Sequence, residues 1–258
     1  MVKLIGYYAT ILHGDVAVFD RYRWLKKHLL AGPLRTLDAG CGSGAFTMYA
    51  AKRGNEAIGI SFDERNNEIA EERAKLLGIN GVRFIMGDLR KLDELSGNLG
   101  LFDQIICFET IEHVLDDEKL IKDLSGLLKP GGVMLLTAPY KHYYKHLLGD
   151  DKTPLSTQED GGHVRWGYTH EELEKIFNKA GITLVKKEYV SGIITALQMA
   201  LSRFLRKKIN FKVVWLLVFP LRVLFLIDPL ITWLIHCSHL TVAVTGVKKY
   251  ESSYFGSR

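Results

Sequence analysis

Apolar runs of strand length recur along this chain and alternate with segments whose apolar residues return at helical spacing. Residues 56–60, 82–88, 102–108 and 133–137 read as strands two to five, after a first strand that ends around Leu37-Asp38-Ala39. Between the second and third, residues 63–77 carry Ile69, Ala70, Ala74 and Leu77 at helical spacing and charged residues elsewhere, the pattern of a helix laid on a sheet. Such alternation implies an α/β fold: a parallel sheet wrapped by helices on both faces, with its ligand at the carboxyl ends of the strands.

A different pattern fills residues 193–238. Three apolar stretches, 213–221, 223–227 and 230–235, are interrupted by Arg222 and by Asp228-Pro229. A membrane-crossing helix needs about 20 mostly apolar residues, so each uninterrupted piece is too short to span. The basic cluster Arg203-Phe204-Leu205-Arg206-Lys207-Lys208 precedes them, and Trp215 and Trp233 suit headgroup depth. An interfacial or re-entrant helical segment on an anionic membrane is the leading expectation. A dimer interface and a lid packed on the protein's own core are the alternatives, since both also need apolar helices.

At 258 residues the chain can bury a full core, and 47% hydrophobic with 24% charged residues is ordinary for a soluble enzyme. The formal net charge of +5 permits an anionic partner, but no compact basic-aromatic motif points to nucleic acid. Cys41, Cys107 and Cys237 lie far apart without C-x-x-C spacing, which argues against a disulfide framework or a zinc site and for a reducing compartment. The N-terminus carries no sustained apolar signal core. The expected location is the cytoplasm, peripheral at the inner face of the membrane.

The candidate chemistry begins at Leu37-Asp38-Ala39-Gly40-Cys41-Gly42-Ser43-Gly44, where a strand turns into a helix. Glycines there let the backbone approach a nucleotide, and Gly40, Gly42 and Ala45 satisfy the dinucleotide pattern G-x-G-x-x-G/A. Asp38 argues against a pyrophosphate, which it would repel. It would instead stabilise the ammonium and sulfonium of S-adenosylmethionine (SAM).

From Thr36 to Val190 the chain resembles the class I SAM-dependent methyltransferases, with the glycine loop, the four following strands and the Lys129-Pro130-Gly131-Gly132 turn in order. The resemblance implies a Rossmann-like seven-stranded sheet, mostly parallel with an antiparallel last strand, strands six and seven falling at 183–189 and 240–246. That family normally joins these two by a short hairpin, so 193–238 reads as a hydrophobic helical insertion. The implied domain plan is a cap over 1–34, a SAM-binding domain over 35–192 and 239–249, the insertion, and a tail over 250–258.

By the same resemblance, Asp38 takes the methionine amino group while Gly40, Cys41 and Gly42 form the loop around the cofactor. Ser61 stands where the family carries a ribose-binding acid, with Asp63 as an alternative for that contact. Asp88 and Leu89 match the adenine position. Glu109 lies at the methionine end, within Phe108-Glu109-Thr110-Ile111-Glu112-His113-Val114, which is similar to the family's E-x-x-E-H-V/I variant. Methyl transfer from a sulfonium is an in-line displacement on an activated electrophile, so positioning dominates and no metal is expected. An acceptor hydroxyl or ammonium also needs a base, and a histidine accepts protons near neutral pH. His113 is the best candidate, with His163 and Glu109 beside it.

For the acceptor, Tyr140, His142 and Tyr143 follow strand five. Gly161-Gly162-His163-Val164-Arg165 resembles a stretch found in bacterial and archaeal methyltransferases of varied small molecules. Arg165 would hold an anionic group, or else pair with an acidic neighbour while His163 orders the loop. Tyr7, Tyr8, Tyr22 and Trp24 belong to an expected helix-rich cap and would line an apolar pocket. The expected function is methyl transfer from SAM, leaving S-adenosylhomocysteine (SAH), to a lipid, isoprenoid or quinone at or near a membrane. Two alternatives stay open: a soluble methyltransferase of a polar metabolite or sugar that homodimerises through 193–238, and a non-catalytic SAM-binding regulator.

Overall fold

In the computed structural model, which describes residues 2–12, 15–97, 99–152, 154–159 and 161–250, seven strands form one sheet. Strands β1 (Arg35–Ala39), β2 (Glu56–Ser61), β3 (Val82–Met86), β4 (Phe102–Phe108) and β5 (Leu128–Pro139) run parallel. β6 (Ile182–Val190) forms the edge opposite β3, and β7 (Thr241–Lys248) lies antiparallel between β5 and β6, giving the order β3-β2-β1-β4-β5-β7-β6.

Helices cover both faces because the central strands are apolar on both. Ile105 and Ile106, adjacent on β4, point to opposite sides. On the Ile106 side lie Trp24 and Leu25 of α1 (Val16–His28), Met48 of α2 (Ala45–Lys52) and Ala74 of α3 (Glu64–Leu76). On the Ile105 side lie Leu120 and Leu124 of α4 (Asp117–Leu127) and Leu173 and Phe177 of α5 (His170–Lys179). Strand order reverses between β1 and β4, so a crevice opens where Gly40 and Glu109 leave the carboxyl ends of those two strands.

Strand five begins earlier than its apolar run suggests. Phe102 pairs with Leu128 and Gln104 with Val133, so Lys129-Pro130-Gly131-Gly132 is extruded as a bulge inside β5 rather than forming a loop before it. Gly131, at φ +75°, provides the left-handed residue this needs.

Between β6 and β7 the chain forms α6 (Ile193–Arg206), α7 (Phe211–Val218), a 3-10 stretch (Phe219–Leu226) and α8 (Asp228–Leu234). Among the described residues no single helix is long and apolar enough to cross a membrane. Phe211–Leu224 and Asp228–Leu234 reach that length and composition only as a pair bent by 68°. In α6 polar residues share the buried side with apolar ones such as Ala196, whereas α7 buries Val214 and Val218. Thr195, Gln198 and Ser202 face inward from α6, and Asp228 and Thr232 from α8, while Leu197, Leu201, Phe204, Leu230 and Trp233 are exposed. Trp215 instead turns inward, its Nε1 donating to the Leu12 carbonyl at 2.9 Å. Of the expected tail, residues 251–258 lie outside the described residues.

Candidate active site

The glycine loop is fastened to β2: the amides of Gly40 and Cys41 both donate to the Ile60 carbonyl, at 3.0 and 2.9 Å. Gly40 has φ +85°, and a Cβ there would lie 2.2 Å from Thr110 Oγ1. At Gly42, φ is +48° and an added Cβ would meet nothing within 4 Å, since the backbone faces the crevice. Asp38 is buried behind the loop and is not on the crevice wall. Its Oδ2 accepts from Thr47 Oγ1 at 2.6 Å, and burial pushes its pKa up to about 6.

A cleft of about 240 Å³ runs along this loop, with Gly40, Gly42, Ser61, Asp63, Asp88, Leu89, Glu109 and His113 on its walls. Asp63 also caps α3, its Oδ1 accepting from the Asn66 amide at 3.0 Å, and the Ser61 hydroxyl accepts from the Asp63 amide at 3.3 Å. Arg90 grips the Asp88 carboxylate and holds its pKa below the ordinary value. Arg90 also reaches Glu159 at 3.2 Å, tying the far rim together. Cys41 is buried beneath the loop and lies off the wall. Carboxylates beside an open glycine backbone fit a cationic nucleoside such as SAM. Neither Asn66 nor Arg90, both on the cleft wall, carried a sequence signal of its own.

Glu109 stands at the end of β4 with φ +48°, a strained conformation for a residue with a side chain. Its amide donates to the Thr137 carbonyl, the Thr137 hydroxyl donates to its carboxylate at 3.0 Å, and Arg21 approaches it at 3.0 Å. It borders a second cavity of about 210 Å³, whose walls include Arg21, Glu112, His113, Tyr143, Asp150, His163, Met199, Arg203 and Leu240. Glu109 and His113 are common to both spaces, so a cofactor in the cleft and an acceptor in the cavity would meet beside them.

His113 and His163 are 4.7 Å apart with perpendicular rings, and His113 Nδ1 lies 3.0 Å from the Gly162 carbonyl. Burial, then the neighbouring His113, lowers the pKa of His163. Glu112 is almost fully buried, and burial followed by the nearby Glu109 raises its pKa. Arg165 spends its guanidinium on Asp117 and on the carbonyls of Val114 and Leu115, at 2.8 and 2.7 Å. This is the structural option for Arg165, and it straps the His163 loop to the turn after β4.

The remaining candidates separate. Tyr143 reaches the second cavity and donates to Asp150 at 2.9 Å. Tyr140 packs on Tyr189 and His142, and neither Tyr140 nor His142 lines either space. Tyr22 is buried against Tyr7 and Tyr49, which keeps it off the two cavities, and Tyr8 is exposed and lines neither. The second cavity is also walled by Arg21, Met199 and Leu240, which no motif marked, and by Arg203, which the basic cluster assigned to a membrane surface but which pairs with Asp150 and donates to the Leu148 carbonyl at 2.8 Å.

Residues 32–181 match the family profile described as a methyltransferase domain. The sequence is similar to a ubiquinone biosynthesis O-methyltransferase of Coxiella burnetii, 27% identical over 127 residues, covering 49% of this chain and 53% of that protein. It is 28% identical over 165 residues to a protein of the same name from Mesorhizobium japonicum, covering 61% of this chain and 63% of the relative. The match to the first of these spans about half of the relative's length. In three dimensions it is similar to coclaurine N-methyltransferase bound to N-methylheliamine and SAH, with a TM-score of 0.58, 14% identity, and coverage of 90% of this chain and 72% of that one. At that identity the likeness shows the fold alone.

Proposed function

Because this chain belongs to the class I SAM-dependent methyltransferases, we propose that it transfers the SAM methyl group to a hydroxyl of a lipophilic, quinone-type acceptor at a membrane surface. The observation that carries this reading is the exposed apolar face of α6. One flank of it supplies Met199 and the exposed Arg203 to the second cavity, while another offers Leu197, Leu201 and Phe204 to the surroundings. A helix in water buries its apolar stripe. This one is suited to an apolar medium on its outer side, next to the cavity an apolar acceptor would enter. Arg206 lies over the Phe211 ring and Lys208 over Phe204, each at 4.8 Å, so two cations of the basic cluster sit beside exposed aromatic rings of this segment. The relatives' name, ubiquinone biosynthesis O-methyltransferase, supports a quinone-type acceptor.

SAM supplies an already activated methyl group. The chain's part is to hold it at the glycine loop, align the acceptor oxygen beside Glu109, and take the acceptor's proton. With Nδ1–H of His113 donating to Gly162, the Nε2 lone pair is available for that proton. The second reading, a dimer built on the same apolar face around a soluble substrate, rests on the same exposed residues.

Flotation with anionic and neutral liposomes separates the two. Attraction to an anionic surface is worth about 1 kcal/mol per basic residue, so replacing Arg206, Lys207 and Lys208 by glutamate lowers anionic-vesicle partitioning by at least about 100-fold. Undiminished flotation, or a stable dimer that ignores lipid, overturns the membrane reading. SAH production from SAM and a lipophilic catechol distinguishes an enzyme from a binder.

A further inference from the structure

Three groups of the second cavity are arranged as ligands. We propose that Glu112, His113 and His163 bind a divalent first-row transition-metal ion between the cofactor cleft and the acceptor cavity. One ligand atom from each lies within 4.8 Å of the other two. Glu112 is 1% exposed, and its Oε2 accepts no hydrogen bond; such a buried acceptor is costly unless something positive meets it. His113 is set up as a ligand. Its Nδ1 is held by the Gly162 carbonyl, which fixes the tautomer that leaves Nε2 free for a metal, and Nε2 lies 3.8 Å from Glu112 Oε1.

The backbone holds the two halves of the site in register. The Val164 amide donates to the Glu112 carbonyl at 3.0 Å, and Arg165 pairs with Asp117. These straps bring His163 to His113. Donors bonded about 2.1 Å from one ion in tetrahedral geometry are about 3.4 Å apart, so loading draws the triad, whose ligand atoms lie within 4.8 Å of one another, together by up to about 1.4 Å. Two imidazoles and one carboxylate favour Zn²⁺, Fe²⁺, Co²⁺ or Mn²⁺ over Mg²⁺ and Ca²⁺, and three protein ligands leave positions open towards the cavity.

The use of the ion rests on the O-methyl-transfer reading; its binding does not. An acceptor oxygen in an open position loses its proton to solvent more readily. Its lone pair then forms the C–O bond as the S–C bond breaks, and the sulfur keeps that bonding pair as a neutral thioether. In the loaded protein the ion therefore replaces His113 as the means of ionising the acceptor. The expectation of no metal followed from cysteine spacing and from the chemistry of the sulfonium, neither of which tests a His/Glu cluster.

The test is titration of the chelator-treated full chain with Co²⁺, read by calorimetry and by visible d–d absorption. One ion per chain is expected. Removing outer-shell partners of a metal commonly costs 10–100-fold in affinity, so losing a ligand in His163→Ala or Glu112→Gln weakens Co²⁺ binding by more than about 100-fold. Retained SAM affinity in the same variants reports that they are folded. Absent binding, or binding that survives both substitutions, overturns the site whether or not the protein methylates a catechol. Absence of turnover with a lipophilic catechol, both with and without Co²⁺, would overturn the O-methyl-transfer reading alone.

Discussion

Asp38→Asn tests the electrostatics of the glycine loop. Asp38 lies in β1 between Gly59 of β2 and Ile106 of β4, 2% exposed, and burial moves its pKa from 3.8 to about 6. The native state therefore holds this proton more tightly than the unfolded chain does. Below about pH 4 both states are protonated and the site costs nothing extra. As pH rises from about 4 to 6 the cost of burying the charge grows, and at pH 7 it stands at about 3 kcal/mol. Asparagine cannot ionise and keeps an acceptor for Thr47, but leaves its amide N–H groups without a designed partner. The variant is thus more stable than wild type at pH 7 by about 1–3 kcal/mol, and this advantage disappears towards pH 4. Urea unfolding of both proteins from pH 4 to 7.5 measures the difference, with every other titrating group common to both. Calorimetry at pH 7 should find SAM binding weakened in the variant, because the loop has lost the negative charge behind it. A stability difference independent of pH, or a variant less stable at pH 7, refutes the reasoning.

Two other substitutions separate the loop from the apolar helices. Asp228→Ala removes the acceptor for the amides of Gly192, Ile194 and Thr195 and for the hydroxyl of Thr232, at 2.8–3.2 Å. With these donors buried, the loss is about 3–5 kcal/mol, seen as protease cleavage within residues 193–238 before the sheet melts; unchanged proteolysis would count against this anchor. Gly40→Ala combines φ +85° with a Cβ 2.2 Å from Thr110 Oγ1. Strain of about 1–3 kcal/mol displaces the loop and should lower SAM affinity by at least about fivefold in calorimetry, and an unaltered affinity would show that the loop does not need this glycine.

The local code was legible where the physics is local. Strand periodicity marks β2, β3 and β4 to within a residue or two, and the glycine pattern marks the turn at Gly40, because side-chain alternation and backbone conformation depend on near neighbours. The spacing of Phe108 to Val114 likewise put Glu109 and His113 after β4, where the structure has them bordering both cavities. Long-range packing decided the rest. His163 reaches His113 only because Arg165 finds Asp117 and Val164 finds Glu112, contacts that join segments about 50 residues apart. Asp38 reads as a ligand residue in sequence, yet the sheet buries it behind the loop. In α6 the residue pattern defines a polar and an apolar side but not which one turns inward. That choice belongs to the buried Asp20, which accepts from the Thr195 hydroxyl, and Asp228, which accepts from the Thr195 amide; together they draw the polar residues of the helix into the protein. Sequence thus determined the elements and the chemistry each carries, and tertiary structure decided which of those groups meet, because burial and contact are properties of the whole assembled chain.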